Sequence, residues 1–61
     1  DKQREAQEAV YEEIHKKLLH IRKSLVIESD TESKYKLEQR IRDYEQQLQK
    51  IEADLDLLEG N

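Results

Sequence analysis

Apolar residues recur through the second half of this chain at alternating spacings of four and three residues. An average period of about 3.5 residues is that of a coiled-coil seam, in which a helix packs lengthwise against another helix. The series consists of Leu37, Ile41, Tyr44, Leu48, Ile51, Leu55 and Leu58. It predicts a long amphipathic helix that requires a helical partner.

The first half carries a second seam, made of Tyr11, Ile14, Leu18, Ile21 and Leu25. We place Tyr11, Leu18 and Leu25 at heptad position a, with the equivalent a positions of the second half at 41, 48 and 55. A heptad continued from Leu25 would reach Gln39 rather than Ile41. Because stutters and stammers shift a coiled coil by four or three residues, a shift of two argues against one continuous helix.

The break falls between Glu28 and Ser33, where Ser and Asp favour a turn over a helix interior. Ser29 with Glu32 fits a capping box, and Asp30 or Thr31 are alternative caps. We predict one domain over residues 1–61, with a helix over about 2–28, a turn over about 29–31 and a helix over about 31–59. Gly60 would then take the left-handed position after the second helix.

A short turn makes the two helices antiparallel neighbours, so that a positions face d positions. One register then matches apolar residues in successive layers, from Leu25 with Leu37 to Tyr11 with Ile51. Beyond these layers Gln7 faces Leu55, and the end of the hairpin opposite the turn, called here the open end, is expected to fray or to need covering. The predicted fold is an all-α, antiparallel two-helix coiled-coil hairpin.

Charges at heptad position e give a second expectation about this register. Arg22 is predicted to lie near Glu38 and His15 near Glu45, whereas Glu8 near Glu52 is unfavourable. Exposed ion pairs contribute only about 0–1 kcal/mol each, so these pairs would select the orientation of the helices rather than hold them together. Tyr11 and Tyr44 are expected to pack in the seam with their hydroxyls reaching water.

Composition excludes several classes of function. The chain has no Cys, no Pro, 43% charged residues and a net charge of −4. We therefore expect no nucleic-acid or membrane partner, and we interpret the basic middle of the first helix as a solvated face. His15 and His20 are five residues apart and so lie on different helix faces. We expect no metal, no cofactor, no small-molecule substrate and no catalytic residue, and hence no enzyme.

Some apolar residues lie off the seam and indicate a partner. Leu19, Val26 and Tyr35 all occupy heptad position b, which places them on one flank of the hairpin as the candidate partner interface. A chain of 61 residues is marginal alone. We therefore expect this flank to assemble two hairpins into a homodimeric four-helix bundle.

Two segments carry a resemblance, namely Leu25-Val26-Ile27-Glu28-Ser29-Asp30 and Lys34-Tyr35-Lys36-Leu37-Glu38-Gln39-Arg40-Ile41. Residues 18–58, which include them, resemble helical-hairpin segments of bacterial, notably cyanobacterial, multidomain signalling and conflict proteins, where such segments accompany effector, peptidase-like or NTPase modules. The resemblance implies an adaptor or assembly segment in a cytoplasmic protein. The shape is also similar to the antiparallel hairpins of Rho-GTPase effectors, which bind their GTPase on the hairpin surface, although no residue motif of that family matches.

The sequence thus predicts a non-catalytic protein-interaction and oligomerisation module. It begins at Asp1 without Met, and we interpret it as a fragment of a longer signalling protein. Two alternatives stay open. One is a docking hairpin for a different protein, such as a GTPase or a neighbouring domain, and the other is a rigid spacer about 40 Å long.

Overall fold

A computed structural model describes residues 2–60 of the chain as two helices joined by a short connection. The first helix, α1, spans Lys2–Ile27 and the second, α2, spans Thr31–Gly60. Each helix ends within one residue of its predicted bound, and residues 1 and 61 of the predicted domain lie outside the described residues. The predicted all-α helical hairpin is confirmed.

The two helices run antiparallel and form a rod measuring 47 × 14 × 11 Å. At the open end Arg4 forms an ion pair with Glu59, and nearer the turn Arg22 forms an ion pair with Glu45. These contacts pair early residues of α1 with late residues of α2, as the register derived from the two seams requires.

The core lies along the seam and is thin. Leu18 is 2% exposed, and Ile21 and Leu48, each 7% exposed, are the other buried hydrophobic residues among those described. The remaining seam positions, Tyr11, Ile14, Leu25, Leu37, Ile41, Tyr44, Ile51, Leu55 and Leu58, are half-buried. A rod of two helices has no third layer, so one side of most seam residues stays near water.

The turn is closed by hydrogen bonds centred on Asp30. The Glu28 N–H donates to the Leu25 carbonyl at 3.3 Å, and the Asp30 N–H donates to the Glu28 carboxylate at 3.0 Å. Asp30 Oδ2 accepts from the Ser33 N–H at 2.9 Å, which satisfies a donor left unpaired by the first turn of α2. Of the alternative caps, Asp30 is therefore the one that the structure uses, rather than the box from Ser29 to Glu32.

The expectation for Gly60 is wrong. Gly60 is the last helical residue of α2, and no residue between 2 and 60 has a positive φ. A Cβ placed on Gly60 would meet no atom within 4 Å. Because no atom lies near the Cβ position of Gly60, no contact there requires a left-handed residue, and glycine continues the helix.

The Asp30 cap predicts a pH dependence of stability. Hydrogen bonds from the backbone and side chain of Ser33 lower the pKa of Asp30. A lowered folded-state pKa means that the carboxylate stabilises the hairpin fully above the ordinary value of about 3.9, and that this contribution is lost as pH falls through the lower value. Asp30→Ala should therefore lower Tm by a few degrees at neutral pH and by less in strong acid, as measured by circular dichroism.

Asp30→Asn is the matched control for this prediction. Asparagine caps helices about as well as aspartate but does not titrate. The Asn variant should match the parent near neutrality and lose less stability than the parent on acidification. An Ala variant whose deficit persists unchanged in strong acid would show that the carboxylate is not the group that caps α2.

Candidate interaction surface

The hairpin has two flanks along its length, one on each side of the seam. Heptad positions e and b form one side, which we call the e flank, and positions g and c form the other, which we call the g flank. Grooves on the e flank are lined by residues such as His15, Arg22 and Glu45, whereas grooves on the g flank are lined by residues such as Lys17 and Arg40. The functional question is which flank offers a surface to a partner.

The predicted interface residues Leu19, Val26 and Tyr35 are all exposed. Val26 lies in the last turn of α1 and Tyr35 lies near the start of α2, so the two residues flank the turn on either helix. Leu19 lies seven residues before Val26 on the same face of α1. The structure leaves these side chains uncovered on the turn half of the e flank.

Ile27 was not among the predicted interface residues. Ile27 and its neighbour Val26 are each 84% exposed, more than any other large hydrophobic side chain in residues 2–60. The signal in the sequence is its heptad position: Ile27 lies at c, off the seam and on the g-flank side of Val26, so α2 does not cover it. We call Leu19, Val26, Ile27 and Tyr35 the turn patch.

Arg22 lies beside the turn patch, and its predicted ion pair is wrong. Arg22 Nη2 donates to Glu45 Oε2 at 2.9 Å, rather than to Glu38. Side chains lean toward the N-terminus of their own helix. In an antiparallel pair this direction brings Arg22 and Glu45 toward each other, and it carries Glu38 away toward the turn.

His15 also differs from its expected pairing with Glu45. The His15 ring stacks on the Tyr11 ring, with centroids 6.2 Å apart and an interplanar angle of 9°. The Glu45 carboxylate, which His15 was expected to face, forms its ion pair with Arg22 instead. On this part of the e flank, Arg22 and Glu45 therefore neutralise each other within the hairpin.

The open end is closed by polar contacts rather than frayed. Arg4 forms ion pairs with Glu8, at 3.3 Å, and with Glu59. The Tyr11 hydroxyl, which was expected to reach water, donates to Glu52 Oε1 at 2.8 Å. This hydrogen bond raises the pKa of Tyr11, with smaller contributions from burial and from the Glu52 charge.

Residues 2–60 contain neither a metal-binding cluster nor a membrane-spanning helix. No group of three or more histidine and acidic side chains in this range is arranged to hold a metal ion. His15 lines a groove on the e flank and His20 lines one on the g flank, so the two imidazoles do not converge. Neither helix, within the same range, is long and apolar enough to cross a membrane.

Comparison with known proteins adds no assignment to this geometry. No protein-family model matches the chain, and no match was found among curated proteins or among solved structures.

Proposed function

We propose that this chain is a non-catalytic protein-interaction module that associates with a second copy of itself through the turn patch. The observation that carries the proposal is the 84% exposure of both Val26 and Ile27 in a hairpin whose core, among residues 2–60, has three buried hydrophobic residues. Burial of apolar surface stabilises by about 25 cal/mol per Å². A second hairpin on this patch would therefore supply stability that the thin seam lacks.

Charge favours the turn half of the e flank as the self-association surface. Arg22 and Glu45 neutralise each other beside the patch. The open half of the same flank is acidic, with Glu5, Glu8, Glu12 and Glu52 around one groove. Like charges set against one another are destabilising, so two copies that lay parallel over their full lengths would oppose their acidic halves.

These constraints select a staggered dimer. A two-fold axis requires the same patch on both copies, and an axis perpendicular to the rod turns the second hairpin end for end. If the patches meet near the axis, the turn halves overlap as a four-helix section and the acidic open ends point away from each other. Helices in such a section pack at about 20° to one another.

The biological setting rests on the sequence resemblance alone. We propose that the module belongs to a cytoplasmic multidomain signalling protein, in which dimerisation of the hairpin would bring neighbouring domains together. A second candidate is a rigid spacer, which the 47 Å length of the rod favours. Docking of a different protein on the turn patch is the third candidate, and sedimentation equilibrium separates self-association from the other two.

Sedimentation equilibrium over a wide concentration range tests self-association. The parent should rise above 7.4 kDa toward twice that mass, whereas a variant with Leu19→Glu, Val26→Lys and Tyr35→Gln should remain a monomer that is less stable but still partly helical. The substituted residues keep the net charge unchanged, so any loss of association reports on the apolar patch.

The matched control changes exposed hydrophobic residues outside the patch. Val10→Lys with Leu57→Glu also preserves net charge, and this pair should associate as the parent does. A parent that stays at 7.4 kDa up to millimolar concentration would overturn self-association and favour the spacer or the docking hairpin. A control pair as defective as the patch variant would show that the patch is not the specific surface.

A further inference from the structure

The g flank holds a basic groove that the proposed dimer does not use. Lys16, Lys17, His20 and Arg40 line it, and its floor is formed by Ile21 and Tyr44. Ile21 is buried and Tyr44 is half-buried, so the floor is part of the seam. The groove therefore combines an apolar floor with a rim that carries three cations, Lys16, Lys17 and Arg40.

The rim cations have no partner within the hairpin. Among residues 2–60 the ion pairs are formed by Arg4 and Arg22, and both of their cross-helix partners, Glu59 and Glu45, are e residues. Lys16, Lys17 and Arg40 form no ion pair with a carboxylate of the described chain. Their charge is thus available to an anionic surface from outside.

A surface of opposite charge lies on the other flank of the same molecule. Glu5, Glu8, Glu12 and Glu52 surround a groove at the open half of the e flank, over a floor that includes Tyr11 and Leu55. Glu8 and Glu52 have partners in Arg4 and Tyr11, whereas Glu5 and Glu12 form no ion pair in the described chain. Both grooves have an apolar floor and a charged rim, but the rim of this one is acidic.

We infer that the basic groove docks the acidic groove of another copy of this chain. Opposite charges at such a contact raise the encounter rate and fix its register more than they add affinity. The contact does not depend on the turn patch, whose Leu19, Val26 and Tyr35 lie on the turn half of the e flank and whose Ile27 lies beside the turn. No residue of the patch lines either groove, so a dimer formed there would leave both grooves open.

The placement of the grooves decides the symmetry of this contact. They lie on opposite flanks, so the same pair of surfaces cannot meet itself across a two-fold axis, and the contact is head-to-tail. Glu8 and Lys17 are nine residues apart on α1, which offsets successive copies by about 14 Å along the rod. Repeated contacts of this kind add copies without closing a dimer, and they convert a closed pair into a growing array.

The first test is the salt dependence of assembly, measured by sedimentation velocity on the purified chain. At about 0.01 M salt the Debye length is about 30 Å, and at about 1 M it is about 3 Å. Species larger than a dimer should form at low salt and dissociate at high salt. A parent whose mass distribution is the same in both salts would overturn the inference.

Charge reversal supplies the specific test. Lys17→Glu with Arg40→Glu should abolish the large species, and Glu5→Lys with Glu12→Lys should abolish them equally. An equimolar mixture of the two variants should restore them, because each reversed groove then finds its complement on the other variant. Circular dichroism should show both variants helical. Helical variants that assemble alone, or a mixture that fails to assemble, would overturn the inference.

Two controls separate this contact from the dimer and from net charge. Lys23→Glu with Lys34→Glu changes the net charge as much as the basic-groove variant does, but neither residue lines a groove described above, so it should retain low-salt assembly. The turn-patch variant should also retain it, since its grooves are intact. Failure of the dimer would thus leave salt-sensitive assembly in place, and failure of the groove contact would leave a dimer that persists at high salt.

Discussion

Leu18→Ala is expected to destabilise the hairpin by about 2–5 kcal/mol, the range for truncating a buried leucine. Leu18 is the most buried side chain of the core, at 2% exposure, and it packs in the seam with Leu48 within one turn of its level. A core in a chain this small rarely supplies more than about 3–5 kcal/mol. The variant should therefore be largely unfolded at room temperature, which circular dichroism would show as lost helicity.

Leu57→Ala is the matched control for this prediction. It removes the same atoms from a leucine in α2 that is 65% exposed. Surface substitutions usually change stability by less than about 0.5 kcal/mol, so this variant should melt within a few degrees of the parent. If Leu18→Ala and Leu57→Ala melt together, the seam is not what holds the two helices.

The hairpin itself was predictable from the sequence because its cause is periodic. The offset between the two seams, together with Ser29 and Asp30 between them, requires a turn, and a constant register follows once Leu25 faces Leu37. Backbone geometry alone converts these spacings into faces and layers. The hairpin fold therefore follows from residue spacing and does not depend on side-chain conformation.

Side-chain partners were less predictable because they depend on direction as well as on position. Arg22 and Glu38 occupy matched e positions, yet the lean of each side chain toward its own N-terminus joins Arg22 to Glu45 instead. The Tyr11 hydroxyl likewise reaches Glu52 rather than water. Heptad position predicts which residues share a flank, but not which atoms on that flank meet.

The interaction surfaces were predicted only in part for a related reason. Leu19, Val26 and Tyr35 share heptad position b, which made them visible as a group, whereas Ile27 is the exposed neighbour of Val26 at position c. The basic groove was interpreted from sequence as a solvated face balanced by acidic residues of α2. The structure shows that Glu59 and Glu45, two acidic e residues of α2, pair with Arg4 and Arg22, while Lys17 and Arg40 form no ion pair in the described chain.

The layer of Gln7 and Leu55 is the weakest point of the seam. Gln7 occupies a d position opposite Leu55, and its Oε1 atom is buried without a hydrogen-bond partner. A buried polar atom left unsatisfied costs about 1–3 kcal/mol. The Tyr11 bond to Glu52 and the Arg4 ion pairs lie beside this layer but leave the Gln7 carbonyl unpaired.

Gln7→Leu should therefore stabilise the hairpin by about 1–3 kcal/mol, because it removes that cost and extends the apolar seam by one layer. In a domain of this size 1 kcal/mol corresponds to about 4–8 °C in Tm. Thermal melts at two protein concentrations would separate this gain from any added association. Gln46→Leu makes the same chemical change at an exposed position of α2 and should raise Tm by far less. Equal melting of the two variants would mean that the Gln7 carbonyl is solvated and that the seam already ends at the layer of Tyr11 and Ile51.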